Sequence, residues 1–298
     1  MSSNWPLPGH RDWGRVLTAM LTPFGSDGSV NFAEAARVAR WLVDEQGNDG
    51  IVVNGTTGES PTLTEAEKLE LLTVVLAEVG DRAAIIFGAG TYNTAESVHL
   101  AQAAQRQGAH GVMAVNPYYN RPGQSGLYAH FRAIAESVEL PVMLYNIQPR
   151  SAINLETPTL LRLAEISNIV AVKEASGNLS QIQDVCRQMP TGFRLYSGDD
   201  GLTLPMLSVG AHGVVSVAGH IVGREIGEMV AAFETNPARA RELHHQLLPI
   251  YGALFAYPSP VPVKYALSRR GFACESVRLP LVPLTDDEKS RIDPVLNG

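Results

Sequence analysis

Asn168-Ile-Val-Ala-Val-Lys-Glu-Ala-Ser-Gly177 is a short apolar run that ends in one ammonium and passes at once into a glycine-bearing loop. Ile169 to Val172 are continuously apolar, the pattern of a strand covered on both faces. Helical periodicity follows at Leu179–Gln188, which completes a strand–loop–helix unit. The same unit recurs outward in both directions. Strands are expected at Val16–Met20, Gly50–Val53, Ala84–Phe87, Gly111–Val115, Pro141–Tyr145, Ile169–Lys173, Phe193–Ser197 and Gly213–Val217. Helical patterns lie between them, among them Phe32–Glu45, Glu65–Val79, Ala95–Arg106, Leu127–Ser137 and Pro158–Ile166. Thr64 before Glu65-Ala-Glu67 reads as a capping box, and Thr94 stands as a start signal before Ala95-Glu96. Eight alternations without a break in composition predict an α/β fold, one (β/α)8 TIM barrel over an open doubly wound sheet. From about Ile221 the pattern is all helical, broken by Pro249, Pro258, Pro260 and Pro262. The expected organisation is therefore a barrel over residues 1–225 and a C-terminal helical appendage over residues 226–298.

Composition narrows the partners. The 298 residues are 45% hydrophobic, enough for a full core, and a net charge of −7 supplies no basic face for nucleic acid. The N-terminus lacks the charged start and apolar core of a signal peptide, and no run has the apolar length to cross a bilayer. A soluble, cytoplasmic protein with no membrane partner is expected. Cys186 and Cys274 have no metal-type spacing, and Cys186 sits on an amphipathic helical pattern as a small core residue. Gly88-Ala-Gly-Thr-Tyr-Asn93 begins like a dinucleotide fingerprint but lacks the third glycine, and no His-Glu-x-x-His occurs. No cofactor and no metal are expected. Asp199-Asp200 suits either a cation or the opening of a helix.

Lys173 is one of only four lysines, against nineteen arginines. Arginine stays charged at any useful pH, whereas a desolvated lysine can lose its proton and become a nucleophilic amine, as a Schiff base with a carbonyl substrate requires. From its own segment, a lysine that ends a strand and snorkels to water is an equal reading.

The strand ends tip that balance. In a barrel, reactive groups gather at the C-terminal ends of the strands. There the chain places Asn54-Gly-Thr-Thr-Gly-Glu-Ser60, Gly88-Ala-Gly-Thr91, Asn116-Pro-Tyr-Tyr-Asn120, Tyr145-Asn146 with Arg150, Lys173-Glu174, Ser197-Gly-Asp-Asp200 and Ser216-Val-Ala-Gly219. Gly55-Thr-Thr-Gly58 can offer N–H groups and hydroxyls to a carboxylate, although a lone motif of this kind is more often a helix-capping turn. Tyr145 ends the strand beside Lys173, where its phenol could shuttle a proton through Thr56; a core tyrosine is the plainer alternative. Arg150 suits a carboxylate clamp or an ordinary surface. Tyr118-Tyr119 reads first as a contact with a partner subunit.

Taken together these clusters resemble the lysine-Schiff-base aldolases of the dihydrodipicolinate synthase and N-acetylneuraminate lyase family. The carriers are Gly55-Thr-Thr-Gly-Glu-Ser60, Pro117-Tyr-Tyr-Asn-Arg-Pro122, Leu144-Tyr-Asn146 with Arg150, Val172-Lys-Glu-Ala-Ser-Gly-Asn178, Ser197-Gly-Asp-Asp200 and Gly213-Val-Val-Ser216. The paired threonines, the tyrosine pair and Arg150 resemble the synthase branch. The resemblance implies that Lys173 forms an imine with pyruvate, whose enamine attacks L-aspartate 4-semialdehyde. Tyr145, Thr56 and Tyr119 would form a proton relay, with Tyr119 reaching in from a neighbouring subunit. Thr57 would hold the pyruvate carboxylate, Arg150 the semialdehyde carboxylate, and the main chain at Gly198 and Val215 would line the pocket. A homotetramer built as a dimer of dimers is implied. The alternatives are another pyruvate-dependent aldolase acting on a 2-keto-3-deoxy sugar acid or hydroxy-oxo acid, and a catalytically silent 2-oxo acid sensor.

Two departures from the family pattern bear on function. The loop Ile147-Gln-Pro-Arg-Ser-Ala152 has its proline one place later than is common and alanine for a glycine, so the aim of Arg150 and the second substrate are open. Many relatives are inhibited by lysine near positions matching Ser60, Glu96 and Tyr118, with histidine or glutamate where this chain has Lys68. A cation there repels the effector's ammonium, so weak or absent inhibition is expected.

Overall fold

The structure, a computed structural model, describes residues 7–296. Eight parallel strands close into a barrel in chain order: β1 Val16–Ala19, β2 Gly50–Val53, β3 Ala84–Gly88, β4 Gly111–Val115, β5 Val142–Asn146, β6 Ile169–Glu174, β7 Arg194–Ser197 and β8 Gly213–Ser216. Every expected strand is present, with no end moved by more than one residue. The continuous apolarity has the cause inferred for it: alternate side chains of one strand enter different cores. Leu17, Val52, Ile86, Met113, Met143, Ala171, Tyr196 and Val215 fill the barrel. Ile51, Val53, Ile85, Phe87, Val112, Leu144, Val172 and Leu195 pack outward against the helices. Burial of each Val, Leu, Ile, Phe or Met among them contributes about 1.5–3 kcal/mol. Trp13 closes the N-terminal end, fully buried, its indole N–H donating to the His110 carbonyl at 3.2 Å.

The helices are α1 Phe32–Arg40, α2 Glu65–Val79, α3 Thr94–Arg106, α4 Gln124–Glu136, the single turn α5 Gln148–Ser151, α6 Thr157–Leu163, α7 Leu179–Gln188, α8 Thr203–Ser208, α9 Gly219–Thr235, α10 Pro237–Leu254, α11 Val261–Ser268 and α12 Asp286–Leu296. The capping box at Thr64 is present: its side chain accepts from Glu67 N, and Glu67 accepts from Thr64 N. Thr94 is not the cap of α3. Asn93 takes that place, its amide oxygen accepting from Ala95 N and Glu96 N, while the Thr94 hydroxyl bonds His130 Nδ1 at 2.9 Å. The helix expected to Glu45 does run that far, but widens into a π turn over Trp41–Glu45.

After β8, α9 packs against β1 as the last barrel helix and then against α10. It spans residue 225, so a division there falls inside a helix; we draw the start of the appendage at Asn236, which caps α10. No described helix is long and apolar enough to cross a membrane.

Candidate active site

A cavity of ≈ 210 Å³ opens at the C-terminal ends of the strands. Its walls come from the loops after β2 (Asn54, Gly55, Thr56), β3 (Gly90), β4 (Tyr118) and β5 (Ile147, Arg150, Ser151), and from Gly88 and Tyr145 near the ends of β3 and β5.

Lys173 lies beside this cavity rather than in its wall, 5% exposed on β6. Its register partner on β5 is Tyr145, and its ammonium lies 4.3 Å from the centre of that ring. Burial lowers the amine to about 8; the Asp200 carboxylate opposes this, and the Arg150 cation adds to it. Gly198 gives the lysine arm its room. A Cβ there would lie 2.9 Å from Lys173 Cε and 2.8 Å from Ala175 Cβ, so no larger residue fits without displacing the nucleophile.

Tyr145 is 3% exposed, and burial pushes its phenol up to about 12. A hydrogen bond from Thr56 and the Arg150 charge pull the other way. The phenol is therefore neutral near pH 7, able to pass a proton along hydroxyls but not to act as a standing phenolate.

Thr56 and Thr57 sit on a tight loop after β2. Gly58 N and Ser60 N donate to the Gly55 carbonyl at 3.1 and 3.4 Å, and Glu59 N donates to the Thr56 carbonyl at 3.0 Å. Thr57 is buried, with no hydrogen bond from its hydroxyl among the described residues. Val215 points into the barrel, 1% exposed, opposite Leu17 of β1.

The altered loop after β5 forms the turn α5, with Pro149 in its first positions, where a missing N–H costs no hydrogen bond. Ala152 ends it in the left-handed conformation, φ 60° and ψ 11°, which explains why glycine suits this place. Arg150 remains at the cavity wall, exposed, its guanidinium without an ion pair or hydrogen bond among the described residues. Tyr119 is not brought to the cavity. It is 90% exposed at φ 68° on the tip of the β4–α4 loop, while Tyr118 packs edge-on against Tyr92, ring centres 5.4 Å apart.

The partners of three buried acids were not read from the sequence, although Asp199-Asp200 as the opening of a helix was. Glu174, fully buried behind Lys173, accepts from Ser176 N at 2.7 Å and from Asn146 Nδ2 at 2.9 Å, and Asn146 Oδ1 accepts from Asn116 Nδ2 at 2.7 Å. Asp200 is buried too, accepting from the Ser216 hydroxyl and from Val217 N and Ala218 N at 3.0 and 3.1 Å. Asp199 caps the turn at Asp200–Leu202, accepting from Gly201 N and Leu202 N. Asp200 thus ties the loop after β7 to the end of β8, while Asp199 caps only its own turn. Glu59, next to the threonines, forms a buried ion pair with Lys264 of α11. Polar residues at strand ends signalled the first two, but their partners lie far away in the chain.

The chain matches the dihydrodipicolinate synthetase family over residues 12–297. It is 52% identical over 289 residues to the 4-hydroxy-tetrahydrodipicolinate synthase of Desulforamulus reducens, covering 96% of this chain and 97% of that one. It is 53% identical over 286 residues to the enzyme of the same name from Desulforudis audaxviator, covering 96% and 97%. Among solved structures, dihydrodipicolinate synthase from Bacillus anthracis superposes with a TM-score of 0.94 at 46% identity, over 96% of this chain and 98% of that one. The lysine-bound enzyme from Cyanidioschyzon merolae gives 0.94 at 44%, over 96% and 97%.

Proposed function

The chain belongs to the dihydrodipicolinate synthetase family, and from that premise we infer a class I aldolase that condenses pyruvate with L-aspartate 4-semialdehyde to give 4-hydroxy-tetrahydrodipicolinate, on the route to diaminopimelate and lysine. The observation that carries the mechanism is the buried amine of Lys173 against Tyr145. We propose the following roles. The free amine of Lys173 adds to C2 of pyruvate, and the carbinolamine loses water to leave an iminium. Loss of a C3 proton gives the enamine, whose C3 attacks the C4 aldehyde. The α-amine of the second substrate then displaces Lys173, closing the ring and restoring the free lysine.

Each proton in these steps needs a carrier beside Lys173. Tyr145 and Thr56 supply two hydroxyls in contact. Thr57, with no hydrogen bond from its hydroxyl among the described residues, would take the pyruvate carboxylate, and the main chain at Gly198 and Val215 would bound the pocket. Arg150, at the wall and without an ion pair among the described residues, is the cation for the semialdehyde carboxylate. The proposed assembly is a homotetramer, a dimer of dimers, in the cytoplasm. An aromatic ring as exposed as that of Tyr119 supports its service in a neighbouring subunit's relay.

Borohydride reduction with pyruvate, followed by intact mass and peptide mapping, tests the chemistry. One adduct on Lys173 is expected, together with turnover of aspartate semialdehyde in a coupled assay. Adduct without turnover, but with cleavage of a 2-keto-3-deoxy acid, would replace the second substrate. Absence of any adduct would remove the aldolase reading.

A further inference from the structure

The threonine loop ends at Glu59, which is 3% exposed and left-handed at φ 54°, ψ 35°. A bulky, charged residue takes that backbone conformation only where its surroundings impose it. Here they come from the other end of the chain. One carboxylate oxygen receives the ammonium of Lys264, a residue wholly buried on α11, and the other accepts from Arg278 N at 3.1 Å. Lys264 is fixed in turn by the Ser276 carbonyl at 2.6 Å and lies 4.3 Å from the centre of the Phe24 ring. The Glu59 carbonyl accepts from the Thr62 hydroxyl at 3.0 Å, so both the side chain and the main chain of this residue are anchored.

A buried ion pair of this kind adds little net stability, because desolvation offsets the attraction, but it admits only one geometry. Through the bonds from Glu59 N to Thr56 O and from Ser60 N to Gly55 O, that geometry passes directly to the two threonines. We propose that Glu59 and Lys264 are positioning residues, by which the C-terminal appendage sets the Thr56–Thr57 loop against Tyr145 and the bound pyruvate. Neither touches substrate. The inference rests on the aldolase reading above, and it is specific to one half of the site: Arg150 stands on a different loop, which this ion pair does not brace.

The test is the double variant Glu59→Gln/Lys264→Met in the full-length protein. It removes both charges together and leaves neither buried alone. Competent sites are counted by borohydride trapping at saturating pyruvate, and kinetics are expressed per trapped site. The expected result is a thermal midpoint near that of wild type, kcat lower by about tenfold or more, and KM for pyruvate raised about fivefold, as small displacements of binding groups produce. KM for the semialdehyde should stay within about twofold, because Arg150 is undisturbed. A kcat and a pyruvate KM per trapped site both within about twofold of wild type would overturn the proposal. Should the double variant fail to fold, Glu59→Gln alone keeps an acceptor for Lys264 and is judged by the same two values. If wild type traps pyruvate but does not condense the semialdehyde, the functional reading fails instead. The pyruvate concentration for half-maximal trapping would then still report on the loop.

Discussion

Lys173 and Tyr145 are register partners on β6 and β5, and the ammonium of one lies 4.3 Å from the ring centre of the other. Strand pairing sets this approach, so the nucleophile and the phenol beside it are held by the barrel rather than by its loops. Burial of the pair acts on both groups in opposite senses: it lowers the amine and raises the phenol, so that each favours its neutral form.

That has a pH signature. Imine formation needs the free amine, so kcat/KM for pyruvate should rise with pH and level off above about 8, not near the usual lysine value of 10.5. Stability follows with a definite sign. Between those two values the unfolded chain binds more protons at this lysine than the folded one, so stability rises with pH across the window; below it the buried ammonium costs its full amount. Lys173→Met should therefore abolish trapping and turnover while stabilising the fold by roughly 1–3 kcal/mol at pH 7. Melting curves of variant and wild type should converge as the pH approaches 10.5. A variant less stable than wild type at pH 7 would contradict the direction of the shift.

Tyr145→Phe keeps the ring that packs on Lys173 and removes only the hydroxyl. Turnover should fall by about 10²–10⁴-fold, the range for loss of a positioned proton carrier. Pyruvate should still be trapped at saturation, only more slowly. Thr56→Val removes the hydrogen bond that pulls the phenol down, so it should impair the same steps. The two losses should be far from additive, because they interrupt one relay; simple additivity would separate the residues.

Arg150→Ala should reduce kcat/KM for aspartate semialdehyde by about 10–100-fold, the loss of charge-assisted hydrogen bonds worth about 1.5–3 kcal/mol. It should leave half-maximal trapping of pyruvate nearly unchanged. The Arg150 cation also holds Lys173 down, so the alkaline rise of the pH profile should move upward in this variant. An unchanged semialdehyde KM would assign the second carboxylate to another group.

Much of this was legible from single strands. Ile169 to Val172 are apolar on both faces because each face meets a core, and the polar residues that end each strand mark the mouth. Features set by partners distant in sequence were not. Asp199-Asp200 reads alike as a cation site or a helix opening, because the Ser216 hydroxyl and the N–H groups of Val217 and Ala218 lie on another strand end. Thr94 and Asn93 are both cap formers, and the choice is made by the fold: the asparagine oxygen reaches two N–H groups while the threonine turns to His130, a residue of α4. Glu59 in Gly-Glu-Ser looks like a surface acid until Lys264 arrives from α11.

Lys68 is 7% exposed on α2, and Glu65 and Glu96 favour its charged form against the cost of burial. A lysine effector approaching Glu96, Ser60 and Tyr118 would meet that cation and compete with it for Glu96. Steady-state assays should show weak or no inhibition by lysine. Lys68→Glu should increase the sensitivity by about tenfold or more, since it turns repulsion into attraction. Strong inhibition of wild type at sub-millimolar lysine would overturn this.

Ala152 is the one residue of the altered β5 loop whose backbone conflicts with its side chain. Its φ of 60° closes α5 through its N–H donating to the Gln148 carbonyl at 2.9 Å. A left-handed conformation costs an alanine about 1–2 kcal/mol, while glycine there forfeits about 0.5–1 kcal/mol to its freer unfolded chain. Ala152→Gly should therefore stabilise by about 0.5–1 kcal/mol, visible as a rise of a degree or two in thermal midpoint. The hydrogen bond that ends α5 survives the change, so Arg150, two residues earlier, should keep its aim and the semialdehyde kinetics should hold within about twofold. A stabilised variant with weakened semialdehyde binding would mean that the methyl group, and not the turn, directs the arginine.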